Sequence, residues 1–254
     1  MKEEEYTGDY TKAFVSETPM ENNSSVAKSI KKNLKIELNE AVYIYSFKEN
    51  KMIFVQGFKE LFGIEDEKLN MTDMIELHTN EVSIFLNEIN DKTLHQIHHK
   101  TNYQDVKTLM IINVFNKITK QSIPVLRSIY IYELNENGNL ISIIARYKKD
   151  DNLKTSNIIP YGVVSKKIKD DFLIDINFNL NYKNAVSIYE IKIIELLEKE
   201  YDHLEIQEKL EYSEKELKKI ISNLFLRFKT YSKSELVSFA KKNYFLPNPF
   251  LQKL

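Results

Sequence analysis

The chain has 254 residues, enough for two domains, and 43% of them are hydrophobic, enough for real cores. Thirty-six Lys and Arg face 37 Asp and Glu, and the net charge of −1 excludes a long-range basic field over the whole protein. Cysteine is absent, which excludes disulfides, thiol catalysis and cysteine metal clusters and suits a reducing compartment.

Residues 1–33 are polar and rich in Ser and Asn around Asn22-Asn-Ser-Ser25. They are expected to be a leader, with a short helix between Val26 and Leu34. Met1-Lys-Glu-Glu-Glu-Tyr6 does not read as a signal peptide, and no apolar run approaches membrane-spanning length. The expectation is a soluble, cytoplasmic protein without a membrane partner.

Ala41-Val-Tyr-Ile-Tyr-Ser-Phe47 is rich in β-branched and aromatic residues and predicts a strand. Lys48-Glu-Asn-Lys51 turns the chain into a second strand, Met52–Gln56. Phe58–Phe62 predicts a short helix ended by Gly63. Helices are expected over Met71–Leu77 and Glu81–Ile89, with Leu86–Ile97 continuing or adding one. Three longer strands come next: Thr108–Phe115, Ile123–Leu134 and Leu140–Tyr147. Asn137-Gly138 marks a tight turn between the last two, and Pro124 suits the start of a strand.

Two strands, short helices and a three-stranded meander give a layout that resembles a PAS sensor domain over residues 34–150. Val42–Tyr45, the Phe54-Val-Gln-Gly-Phe-Lys-Glu-Leu-Phe-Gly63 entry and the Asn135–Leu140 hairpin carry the likeness. The resemblance implies a module that cups a small-molecule signal or pairs with a second copy and passes a shift to an output domain. A mixed dimerisation module with a filled core is the alternative. No cofactor is implied, and the ligand is unidentified. Residues 151–185 are expected to connect this domain to the next. They contain Pro160-Tyr-Gly162 and a possible extra strand, Phe172–Phe178.

From Val186 to Pro247 the pattern is helical. Ile188, Ile191, Ile194 and Leu197 form one stripe of a helix running from about Ser187 to Lys199, with Glu190, Lys192, Glu195 and Glu198 expected mostly toward water. Asp202 with Glu205, then Ser213 with Glu216, spell two capping boxes on either side of the Glu211-Tyr212-Ser213 turn. The long helix after Ser213 should bury Leu217, Ile220, Ile221, Leu224, Phe225 and Phe228. A last helix starts near Ser232 and is expected to stop at Leu246-Pro-Asn-Pro249. Residues 248–254 are expected to be a tail.

Glu190, Glu205-Ile206, Lys209-Leu210, Ser213, Lys218, Ile221-Ser-Asn223, Arg227, Ser232 and Glu235-Leu-Val237 fall in the register of the LuxR/GerE family, which this segment resembles in length, order and spacing. The resemblance implies a helix-turn-helix domain that binds double-stranded DNA as a homodimer. Its base-edge candidates are Lys218, Lys219 and Ser222, and its phosphate candidates are Lys215, Arg227 and Lys233. The segment departs from the pattern at Tyr189, at Lys192, at Glu200 in place of a turn glycine, and at Glu216 in place of a threonine near the phosphates. Acids and bases are equal in number from Val186 to Pro247, with acids dominating before Ser213 and bases after it. Neutrality predicts weak non-specific binding and help from dimerisation.

The expected fold class is therefore α+β: a PAS-like antiparallel sheet with short helices, then an all-α four-helix helix-turn-helix domain. The expected function is a transcription regulator; the alternative is a signalling adaptor whose helical domain binds protein. Enzymatic chemistry is not expected. The five glycines form no phosphate cradle and no nucleophile elbow is present. His95 with His98 or His99 would need Asp91 as a third metal ligand, and the histidines, His78 and His203 included, are read as exposed polar residues.

Overall fold

A computed structural model of the chain describes residues 25–98, 105–165 and 182–250, the side chains of 95–98 excepted. The expected strand at 172–178, the leader before residue 25 and the His95, His98 and His99 side chains lie outside the described residues. The fold is α+β. Its described residues form two compact units, one containing 25–150 and 163–165, the other 151–162 and 182–250.

In the first unit, strands β1 (Glu40–Ser46), β2 (Lys51–Gln56), β3 (Lys107–Phe115), β4 (Ser122–Leu134) and β5 (Leu140–Lys149) form an antiparallel sheet in the order β2-β1-β5-β4-β3. β1 is buried along its whole length, which explains its nearly continuous apolar texture. Helices α1 (Ser25–Asn33), α2 (Phe58–Phe62), α3 (Met71–Glu76) and α4 (Asn80–His98) accompany the sheet. On one face Ile30 of α1 packs with Val42, Ile44, Ile53, Phe54 and Ile144. On the other, Phe58 and Phe62 of α2 meet the Tyr147 ring at centroid distances of 5.8 and 6.0 Å.

Gly57 is required where it stands. Its φ is +89°, and a Cβ there would lie 2.4 Å from the Glu40 carbonyl oxygen. The Asp66 carboxylate accepts hydrogen bonds from the N–H groups of Gly57, Phe58 and Lys59, satisfying the start of α2 from the following turn. The helix expected at 81–89 continues through 86–97, the first of the two alternatives, because Phe85, Leu86, Ile89 and Leu94 keep a helical spacing that no glycine or proline interrupts.

In the second unit, β6 (Ile159–Val164), whose last two residues belong to the first unit, pairs in parallel with β7 (Ala185–Ser187). Neither strand was expected. Four helices come after them: α5 (Ile188–Glu198), α6 (His203–Leu210), α7 (Glu214–Phe228) and α8 (Lys233–Lys242). Each begins at a side chain that accepts from the N–H three residues on: Ser187, Asp202, Ser213 and Ser232. The first three are reciprocal capping boxes with Glu190, Glu205 and Glu216. Ile191, Ile194, Ile206, Leu217, Leu224, Leu236 and Ala240 are fully buried. Phe228 stacks on Phe239 at 4.8 Å, and Phe245 closes the cluster at 5.8 Å from Phe228. α8 stops earlier than the proline pair suggests. Asn243 caps it, Tyr244 takes a left-handed φ of 63°, and Phe245, Leu246 and Phe250 turn into the core.

Candidate functional site

α6, a tight turn and α7 form the helix-turn-helix geometry. Glu211 ends α6 in the left-handed region at φ 60°, and two residues later Ser213 caps α7. This leaves no slack between the helices, so the direction of α7 is set by the turn and by its buried side. That side is Leu217, Ile220, Ile221, Leu224 and Phe228, with Phe225 only half-buried. The other side carries Lys215, Lys218, Lys219, Ser222 and Leu226, all exposed. Lys233 at the start of α8 is exposed as well.

Of the acids in the first turn of α7, Glu216 is directed at the helix's own N-terminus. The Glu216 carboxylate accepts from the Ser213 N–H at 2.8 Å and from the Ser213 hydroxyl, and these bonds hold its pKa below the usual carboxylate range. Glu214 reaches the Lys218 ammonium one turn on, an exposed pair of small energetic weight.

Arg227, expected among the phosphate contacts, instead turns inward. Its guanidinium donates to the Glu190 carboxylate at 2.8 Å. Glu190, expected to face water, is 2% exposed and also accepts the Ser187 N–H at 2.9 Å as part of the α5 capping box. Burial pushes the Glu190 carboxyl up, while Arg227 and the Ser187 groups pull it down. One ion pair thus joins the start of α5 to the end of α7. The solvated-face reading of Glu190 failed because the end of α7 packs over the start of α5 and brings Arg227 to it, whereas the equivalent capping residues Glu205 and Glu216 remain exposed.

The first unit holds a second polar feature that sequence reasoning missed. Arg127 of β4 lies directly opposite Tyr147 of β5 and Met110 of β3, so the three share one face of the sheet. Arg127 is 3% exposed, and its Nε donates to the Tyr147 hydroxyl at 2.9 Å. Beside it is His78, which is buried and not the exposed histidine expected. The His78 Nδ1 lies 2.8 Å from the Met74 carbonyl oxygen, and Nε2 is buried without a partner. Burial, with the nearby Arg127 charge second, pushes the His78 pKa down to about 4. A cavity of about 40 Å3 is lined by His78, Arg127, Tyr43 and Tyr147, with Met74 and Leu86 on its helical side. The missed signal is period-two: Val125, Arg127 and Ile129 alternate inward, placing a charge in an apolar register.

Among the described residues no group of three or more His, Asp or Glu is placed to hold a metal ion, and no helix is long and apolar enough to cross a membrane.

No family model matches the chain, and no curated protein matches it. Solved structures resemble it distantly. A phage VqmA in complex with DPO is 13% identical, covering 89% of this chain and 92% of that one at a TM-score of 0.36. The Vibrio cholerae VqmA dimer without target DNA, a LuxR-type receptor, is 10% identical, covering 86% and 87% at a TM-score of 0.32. An RNA-binding light-oxygen-voltage receptor is 6% identical, covering 78% and 47% at 0.33. Likeness at this level carries no weight for function; the residues of α7 and of the sheet face do.

Proposed function

We propose that the chain is a DNA-binding transcription regulator, cytoplasmic and acting as a homodimer, in which the helical unit engages the duplex and the PAS-like unit controls it. The observation that supports this reading is the exposed Lys215, Lys218, Lys219 and Ser222 face of α7, opposite a fully apolar face and directly after a tight turn. Lys218, Lys219 and Ser222 read base edges. Lys215 and Lys233 contact phosphates. Arg227 is removed from that set, because its guanidinium already holds Glu190.

A base-edge contact contributes about 1–3 kcal/mol of discrimination when bidentate, and a single lysine contributes toward the lower end. Lys219→Ala is therefore expected to relax sequence preference in gel-shift titrations against a selected site and a scrambled duplex. Lys215→Ala is expected to weaken binding to both duplexes alike and to reduce the salt dependence by about one phosphate's worth. Identical behaviour of the two variants would contradict this division.

A protein-binding adaptor is the second reading, favoured by the exposed Leu204, Leu226 and Tyr231 of the same unit. Affinity for duplex DNA that does not fall as salt rises would select it, since counterion release is then absent.

A further inference from the structure

We propose that the cavity beside α3 and α4 in the first unit binds a small hydroxy-carboxylate, with the carboxylate against Arg127 and the hydroxyl against His78. This deepens the sensory part of the regulator reading and uses none of its DNA-contact residues.

Arg127 supplies the first half. Among the described residues its contacts are neutral: the hydroxyls of Tyr147 and Tyr43, the Tyr147 ring with its centroid 5.7 Å away, and the Met110 sulfur at 3.9 Å. A buried cation without a counter-charge is strongly unfavourable, and a planar carboxylate fits the guanidinium fork in both geometry and charge. The Glu40–Arg146 and Glu190–Arg227 pairs show how the chain treats two half-buried arginines, each of which faces a carboxylate at 2.8 Å. Arg127 faces a cavity instead.

His78 supplies the second half. A carbonyl oxygen can only accept, so the short contact to Met74 places the ring proton on Nδ1. Burial keeps the ring neutral at physiological pH. Nε2 is then a bare lone pair, buried and without a partner, on a residue that lines the cavity. It calls for a donor. A carboxylate offers none, whereas a hydroxyl on the same molecule does.

The remaining lining is mixed: Met71, Met74, Ile75 and Leu86 offer carbon to a carbon skeleton, which an inorganic oxyanion lacks, while Ser83, Asn87 and Asn90 add polar groups. A volume of about 40 Å3 has room for roughly three waters, so the skeleton is short. Asn87, which is exposed, marks the solvent side.

Calorimetric titration of the full chain at neutral pH, without DNA, with lactate, propionate and inorganic phosphate tests the proposal. Lactate is expected to bind at one site. Propionate, which lacks the hydroxyl, is expected to bind about ten-fold more weakly, as befits one buried acceptor left unpaired. Phosphate is expected to give no heat. His78→Phe is expected to bring lactate down to the level of propionate, and Arg127→Met to abolish binding of both. If Arg127→Met does not fold, the His78 variant and the 15N resonance of Nε2, which should move with lactate and not with propionate, still decide the matter. A folded wild-type chain that binds none of the acids at millimolar concentration overturns the proposal, as does equal binding of lactate and propionate or comparable binding of phosphate. Failure here leaves the gel shifts untouched, and a failed gel shift leaves these titrations untouched.

Discussion

The helical unit and the sheet unit each contain an inward-turned arginine, half-buried in the first and fully buried in the second. In the helical unit Arg227 meets Glu190, which itself completes the α5 cap, so a charge from α7 is neutralised by the residue that starts α5. In the sheet unit Arg127 is brought by strand register to face Tyr147, Met110 and a cavity. The first arrangement is closed in charge, since Arg227 meets a carboxylate of its own chain, although its Nε is buried without a partner. The second is open, since among the described residues only neutral groups touch Arg127. Removing a partner from the first leaves a charge unpaired, whereas the second is where the proposed carboxylate would supply the missing charge.

Three measurements would break or sharpen that contrast. The largest effect is expected for Glu190→Ala. Removing the buried carboxylate breaks the α5 capping box and leaves the half-buried Arg227 unpaired, which destabilises by about 3 kcal/mol, read as faster amide hydrogen exchange in α5 and α7. Replacing Glu190 and Arg227 together by methionines should recover most of the loss. If it does not, the pair is no clamp.

The next effect concerns His78, whose neighbours are Arg127 and the Tyr147 ring at 6.2 Å, with the Met74 carbonyl on its Nδ1. Its folded pKa of about 4 lies below the unfolded value of 6.5. Between those two values the unfolded chain binds more protons. Stability from this group is therefore complete above about pH 6.5 and is lost as pH falls toward 4. The loss on going from pH 8 to pH 5 is about 2 kcal/mol. Urea midpoints of the wild type and of His78→Gln at the two pH values should differ in slope by that amount, and equal slopes would show that His78 is not held neutral.

The smallest effect is a gain. Glu200 occupies the turn after α5 at a left-handed φ of 62°. Glycine relieves the side-chain strain there and gives back part of it through the unfolded state, so Glu200→Gly should stabilise by about 1 kcal/mol or less. A loss in thermal midpoint would mean that the Glu200 side chain contributes contacts worth more than the backbone strain.

How much was legible depends on the range of the interactions. The turn at 211–213, the Ser213 and Asp202 caps, the glycine stop at Gly63 and the five strands of the first unit all appear where the chain pattern places them. The exposed lysines of α7 were legible as well, because helical spacing separates them from the apolar stripe. Arg227, Glu190 and His78 were misread. Each was read from the polarity of its own side chain, and each is turned inward by a partner or an element distant in sequence.

Local pattern alone determined the helices, their caps, the strand alternation and the face of α7 that carries Lys215, Lys219 and Ser222. These depend on contacts within four residues or on a period of two or 3.6, and both are written in the chain. Only tertiary structure decided that Arg227 closes on Glu190, that Ile159–Val164 pairs with Ala185–Ser187, and that Arg127, Tyr147 and His78 surround one cavity. Those placements depend on which strand lies beside which and on how much water is removed, and neither is fixed by neighbours along the chain.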